Sequence, residues 1–488
     1  MRLRSGLTCG QPAVRCVVNG FLRSRHAPTR HARTARRAAC PASRSRIDLE
    51  YAATVDLLYA RWQMGLSLAF HIIFAVIGMA MPVMMVAAEV AWLRTRRPQY
   101  LSLATRWSRG TAILFAVGAV SGTVLSFELG LLWPGFMEFA GPIIGMPFSL
   151  EGFAFFLEAI FLGVYLYGWQ KLGPRTHVFA GVMVALGGAL SGAFVVTANA
   201  WMNTPAGFLL ADGKIVHVDP VAAMFNPAAG AQVVHMLLAA YAAVGVGVAG
   251  VHARLLLRDP GDAFHRRACA IALLVGLPAS LLQPLSGDWA GRVVAQTQSA
   301  KLAALEGHFT TEPYAPLRIG GIPDLERRET RYALEVPGGL SLLAHGDPSA
   351  PVTGLNDIPR DLWPPVTAVH IAFQIMVGIG TWLAFLAAWA GLLWWRGRLF
   401  DSRVFLRATM FSTGLGFVAV EAGWTVTELG RQPWIIQGVM RTSEAVTPMP
   451  GILVPFALFT LIYIGLAAVV IALVRRTIVE TVPAGRHP

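Results

Sequence analysis

The chain has 488 residues, 55% of them hydrophobic and 14% charged, with a mean hydropathy of +0.55. Soluble domains carry roughly 25% charge, so this composition excludes an ordinary soluble globule and implies a multi-pass membrane protein. The net charge of +13 sits mostly in residues 1–47, which hold eleven Arg and no Asp, Glu or Lys; subtracting those eleven leaves +2, which argues for no nucleic-acid partner.

In chain order, the Arg-, Ala- and Ser-rich arm comes first. It lacks a long apolar run and holds three of the four Cys, leaving only Cys269, so the body has no disulfide framework or CxxC metal site. Residues 1–47 read as a transit-type targeting segment or as sequence upstream of the true start, disordered in either case. Crossing a hydrocarbon core takes about 20 apolar residues as a helix. Nine stretches qualify, at 62–93, 108–133, 147–170, 177–202, 231–257, 266–286, 367–395, 404–428 and 449–474. Almost all are uniformly apolar with Gly and Ala interspersed, which lets helices approach closely in lipid. The sixth is the least regular, with Pro278 and Pro284 in or near it. No internal repeat stands out, which counts against an inverted-repeat transporter. The expected organisation is a basic extension (1–47), six membrane helices within 48–286, a hydrophilic segment at 287–366, three helices within 367–475 and a tail at 476–488.

Orientation follows from Lys and Arg in the short connections. The odd connections are basic: Arg94, Arg96, Arg97, Arg106 and Arg109 in the first, Lys171 and Arg175 in the third, Arg254, Arg258, Arg266 and Arg267 in the fifth, Arg396, Arg398, Arg403 and Arg407 in the seventh. The tail adds Arg475, Arg476 and Arg486, whereas the short even connections are poor in such residues. The expected fold is an all-α polytopic membrane protein of nine helices, with the body's N-terminus outside, its C-terminus inside and the long segment 287–366 on the outer face. Eleven Arg before an outside-facing first helix conflict with that rule; a start near residue 48 removes the conflict.

Few residues within the spans can ionise or ligate. Those singled out are His71 on the first helix, Glu128 on the second, Glu151 and Glu158 on the third, His235 on the fifth, His370 and Met376 on the seventh, and Glu421 and Glu428 on the eighth. Ionisable groups at membrane depth are costly and mark functional sites. Glu151 and Glu158 are seven apart, two helical turns, so both carboxylates leave one face. In the expected topology His71, Glu151, His235, Met376 and Glu428 converge towards the outer leaflet, beside the long segment. Taken singly, each has a bland reading: His as a packed polar residue, Met as core filler, the Glu pair as an ion path, Glu428 with Arg431 as a salt bridge closing a helix. Together, His and Met suit haem iron, and the carboxylates suit high-spin iron or proton work.

At this point the chain resembles subunit I of the cytochrome bd-type quinol oxidases, especially the short-loop, cyanide-insensitive branch. The likeness covers about residues 50–475 and rests on RWQMGLSLAFH, LEGFAFFLEAIFLGVYLYGW, ANAWMNTPAGF, QSAKLAALEGHF, FQIMVGIG and GWTVTELGRQPW. The resemblance implies roles. His235 and Met376 match the axial ligands of the low-spin haem b558. Glu428 matches the ligand of the high-spin haem b595, with Trp424 and Arg431 beside it. His71 matches a ligand of haem d, a site that holds haem b in part of the family. Glu151 matches the carboxylate near that haem, and Glu158 the glutamate of proton delivery. Lys301 and Glu306 match quinol-site residues of the loop that the family calls the Q-loop. Gln374 departs from the pattern, standing where many relatives have Arg, two residues before Met376.

The resemblance further implies a second subunit, ubiquinol or another quinol as reductant, O2 as oxidant, and a place in the bacterial inner membrane among its lipids. Quinol oxidation would release two protons outside, Glu306 accepting one and Lys301 orienting a quinone oxygen. Oxygen reduction would draw protons from the cytoplasm through Glu158, separating charge without pumping. Two other readings stand beside it: a proton-coupled secondary transporter using Glu151, Glu158 and Glu428, and a haem-binding electron conduit without oxygen chemistry.

Overall fold

The structure is a computed structural model that describes residues 46–446, 451–474 and 476. The expectations for the basic arm up to residue 45 and for the tail beyond 476 lie outside the described residues.

Nine helices long and apolar enough to cross a membrane are present among the described residues. They are α1 (Arg46–Thr95), α2 (Pro98–Leu132), α3 (Pro134–Tyr167), α4 (Pro174–Asn203), α5 (Ala229–Arg258), α6 (Ala263–Thr297), α7 (Val366–Trp395), α8 (Arg403–Gly430) and α9 (Leu453–Val474). Three of them, α2, α3 and α4, begin on a proline, whose missing N–H is one that a helix start leaves unpaired anyway. Asp262 caps α6 by accepting from the Phe264 and His265 amides.

Two spans differ from the hydropathy pattern. The sixth continues eleven residues past 286, through a mixed stretch with Asp288, Arg292 and Gln296 that ends at Thr297. Pro278 and Pro284 both lie inside it, and an Asp288–Arg292 ion pair at 2.9 Å joins adjacent turns of the extension. The eighth is broken: Arg403–Phe411 and Leu415–Gly430 are separate helices around a turn at 412–414. At that level α5 and α8 meet almost backbone to backbone. A Cβ on Gly247 would stand 3.0 Å from the Thr413 carbonyl oxygen, and Gly250 faces Thr413 more tightly still. The same small-residue logic joins α5 to α6, where a Cβ on Gly245 would lie 2.5 Å from the Gly276 Cα.

The largest buried cluster draws on α1 to α8, with Met79, Met84, Tyr165, Val246, Leu386 and Phe405 among its members. A second cluster joins the end of α2, the start of α3 and the end of α4 to a hairpin after α8 (Trp434–Ile436 with Met440–Arg441), through Leu132, Trp133, Phe136, Trp201 and Ile436. On α3 the faces are sorted: Phe153, Phe156 and Ile160 are exposed, whereas Ala154, Glu158, Leu162 and Tyr165 are buried.

The long connection between α6 and α7 is ordered. It opens with a helix, Ser299–Glu306, closed by Gly307 in the left-handed conformation at φ +59°. Two small antiparallel ladders follow, Leu317–Ile319 with Leu334–Val336 and Ile322–Asp324 with Glu329–Arg331, then a helix at Gly339–His345.

Candidate functional site

Helix α4 is the spine of the site. Along about 24 Å of it, at 1.5 Å per residue, four of the residues singled out from sequence are met in turn. Glu158 comes first. It is 5% exposed and faces Gly187 and Gly188; a Cβ on Gly188 would lie 3.2 Å from its Oε1, and one on Gly78 of α1 3.6 Å. Glycine at these places leaves the space a buried carboxylate occupies. Glu151, two turns away on α3, accepts from Ser191 Oγ at 3.2 Å. Further along, Asn199 Nδ2 donates to Glu428 Oε1. At the end of the helix, Asn203 Oδ1 accepts from Lys301 Nζ at 3.1 Å, and Asn203 Nδ2 reaches Asn199 Oδ1 at 3.2 Å.

Glu428 also accepts from Arg431 Nη2 at 2.6 Å. Arg431 is only 1% exposed, and its Nε and Nη1 have no hydrogen-bond partner among the described residues. A buried guanidinium with two unused donors is costly and suits an anionic ligand. Trp424 stands one turn before Glu428 on the same helix and packs, partly buried, against the main core.

The two ligand-type histidines share one device. His71 Nδ1 lies 3.0 Å from Ser121 Oγ, and that hydroxyl points its hydrogen at the Val117 and Gly118 carbonyls. His235 Nδ1 lies 3.0 Å from Ser286 Oγ, whose hydrogen goes to the Gln283 carbonyl. Each serine has spent its proton and can only accept. Each Nδ1 is therefore placed to donate, which at His71 leaves Nε2 a lone pair for a metal. At His235 the Gln283 Nε2 lies 3.3 Å from Nδ1 and 3.2 Å from Nε2, a donor set against the ring's lone pair. Met376 faces α8: a Cβ on Gly423 would stand 3.0 Å from its Sδ. The helices that carry His235 and Met376 pack against the same two neighbours, α6 and α8.

The remaining predicted residues belong to the long connection. Lys301 is buried with its stem against Gly430, and burial, reinforced by the nearby Arg431 charge, holds its ammonium down at about 7, with Glu428 opposing. Glu306 is 4% exposed; burial raises its carboxyl to about 8, with Arg318 opposing, and its Oε2 has no hydrogen-bond partner among the described residues. Its neighbour His308 is fully buried and held at about 4 by burial and by Arg318. Arg318 Nη1 donates to His308 Nδ1 at 3.1 Å.

The structure thus gathers Glu151, Glu158, Glu428, Arg431 and Lys301 around α4. It sets His71 between α1 and α2, His235 between α5 and α6, and Met376 between α7 and α8. Among the described residues no three His, Cys, Asp or Glu converge on one point, so the ligand-type residues stand singly. Sequence reasoning passed over Ser121, Ser286, Asn199 and Asn203. Only the asparagines carried a signal, one turn apart in ANAWMN. It also passed over a buried contact, Glu89 with His177 Nδ1 at 2.8 Å, whose Nε2 lies 2.9 Å from the Tyr165 carbonyl. Glu128, unassigned from sequence, accepts from Gln63 at 3.1 Å and Ser67 at 2.9 Å.

Comparison with known proteins follows this geometry. The family model for cytochrome bd terminal oxidase subunit I matches residues 59–482. A putative cytochrome bd menaquinol oxidase subunit I of Bacillus subtilis is 38% identical over 427 residues, covering 85% of this chain and 95% of that protein. The cytochrome bd-II ubiquinol oxidase subunit 1 of Escherichia coli is 27% identical over 460 residues, 80% of this chain and 89% of its own length. The solved bd oxidase from Geobacillus thermodenitrificans superposes with a TM-score of 0.82 at 39% identity, covering 88% of this chain and 99% of that one.

Proposed function

The chain belongs to the cytochrome bd terminal oxidase subunit I family, and from that membership we propose that it oxidises quinol at the Q-loop and reduces O2 to water with a second subunit. It is a multi-pass protein of the inner membrane and a quinol oxidase by family. The relatives include one described as a menaquinol and one as a ubiquinol oxidase, so we assign it the quinol class as a whole.

The residues present fit haem. His235 and Met376 would hold the low-spin haem b558, Glu428 the high-spin haem b595 and His71 the third haem, d or b. The single observation that carries this reading is the group at the end of α8. Arg431 is buried against Glu428 with two donors unspent, which is what a carboxylate-bearing macrocycle beside a carboxylate ligand requires. The serine-held histidines would turn an Nε2 to iron, His235 in exchange for its contact with the Gln283 amide. When bound, the haems supply electron transfer from quinol and the reduction of oxygen.

The chain's own residues handle protons. Glu306, with a carboxyl raised to about 8, takes a proton from quinol once it is ionised, and the charge of Arg318 favours the carboxylate formed. Lys301 orients a quinone oxygen from its place beside Asn203. Glu158, enclosed by Gly78, Gly187 and Gly188, holds the inbound proton two turns from Glu151. With the basic connections facing the cytoplasm, the Q-loop lies outside, and the reaction separates charge by taking protons from one side and releasing them on the other.

The test is a dithionite-reduced spectrum of the purified oxidase, wild type against Glu428→Ala. The expected result is loss of the high-spin haem b signal with the low-spin bands kept, and oxygen uptake with reduced quinol falling at least about a hundredfold. An unchanged high-spin signal with full oxygen uptake would overturn the assignment.

A further inference from the structure

We propose that His370 and Gln374 of α7 are positioning residues, a clamp that fixes the quinol-binding part of the Q-loop to the helix that carries Met376. The inference rests on the reading above in one respect, that quinol is oxidised beside Glu306.

His370 is fully buried. Its Nδ1 lies 2.7 Å from the Leu305 carbonyl and its Nε2 3.1 Å from the Gly320 carbonyl. Both ring nitrogens thus face carbonyls of the loop backbone, which can only accept, so whichever nitrogen carries the proton gives it to the loop. Gln374 lies one turn on. Its Oε1 accepts from the Gly320 amide at 2.9 Å, and its Nε2 donates to the Arg318 carbonyl at 3.1 Å. That pair imitates one rung of a β-ladder, with a side-chain amide in place of a strand. Four polar contacts from two residues therefore hold three loop positions.

Those positions bracket the site. Leu305 precedes Glu306, and Arg318 carries the guanidinium that opposes the rise of Glu306. Gly320 and Gly321 both have positive φ, at +72° and +90°, so the chain turns sharply where the clamp holds it. Thr330 Oγ1 adds a bond of 2.7 Å to the Gly307 carbonyl, closing the loop over the same spot. From Gln374 to Met376 is roughly 200° around the helix, so one side of α7 holds the loop while another turns Met376 towards Gly423 of α8. The clamp makes the site of quinol oxidation and a ligand of the low-spin haem parts of one rigid body. A side chain that can only donate, or only accept, cannot replace Gln374, because the loop offers one amide and one carbonyl.

The experiment uses the complete two-subunit oxidase carrying Gln374→Leu or His370→Gln. Three readouts are taken: quinol KM and kcat, the reduced spectrum, and the rate of tryptic cleavage at the exposed Arg327 and Arg328. In Gln374→Leu, quinol KM should rise about tenfold, the order set by losing two net hydrogen bonds, with kcat changed much less. Cleavage should quicken by a similar factor, and the haem bands should be retained. His370→Gln should move in the same direction. Unchanged cleavage and unchanged KM in both variants would overturn the clamp. Glu306→Gln separates this from the reading beneath it: an unaltered KM there overturns the placing of quinol, whereas a raised KM there with Gln374→Leu unaltered overturns only the clamp.

Discussion

Two serines that no motif announces, Ser121 and Ser286, hold Nδ1 of His71 and of His235. Removing one leaves Nδ1 without its acceptor and lets the ring turn or take the other tautomer. Ser286→Ala should therefore weaken haem retention at His235 about 10-fold or more, as loss of an outer-shell partner does at other metal sites, read as haem-to-protein ratio after detergent exchange. At Glu306 the sign of the pH dependence can be worked out. Its folded value, about 8, stands above the ordinary 4.5, so its contribution to stability is full below the ordinary value and is lost as pH rises through about 8. As a base it acts only when ionised, so kcat/KM for quinol should climb as pH approaches 8, and Glu306→Gln should abolish that limb. Glu428 with Arg431 was legible at this scale, because three residues along a helix is a contact distance. Glu89 with His177 was not, since 88 residues separate two groups that only the packing of α1 against α4 brings together.

Hydropathy located the nine helices because lipid demands a local property, some twenty apolar residues in a row. It failed where structure stops being local. The last eleven residues of α6 interrupt the apolar run with Asp288, Arg292 and Gln296 yet stay helical, the first two paired across a turn. The break in α8 follows from α5, whose Gly247 and Gly250 admit the turn at Thr413. That contact, and Gly245 against Gly276, should tolerate no side chain. Gly245→Val is expected to cost about 1–3 kcal/mol by overpacking, seen as a lower midpoint in thermal loss of haem absorbance. Gln374 was visible in sequence only as a departure from Arg; its role as an acceptor and donor to the loop needed the backbone of Arg318 and Gly320 beside it.

For the whole molecule, the arrangement of charge across the membrane supports a direction, with basic connections inside and the Q-loop outside. A single cysteine placed at the exposed Ser349 tests this. Ser349→Cys should react with a membrane-impermeant maleimide added to intact spheroplasts, with little background from the described part of the chain, where the free thiol, Cys269, is buried. Labelling only after lysis would reverse the topology. Much of the candidate site was legible because its residues are rare, charged or sulfur-bearing groups in apolar surroundings. What escaped were small uncharged residues, serines and asparagines, which occur equally as packing.

Those asparagines lend the region a polarity. An ammonium can only give hydrogen bonds and a carboxylate can only receive them. Asn203 and Asn199 stand between Lys301 and Glu428, so neither amide can be turned end for end without setting like against like. Four side chains from three distant parts of the polypeptide are thereby threaded in one sense, like beads that slide onto a string from one end only.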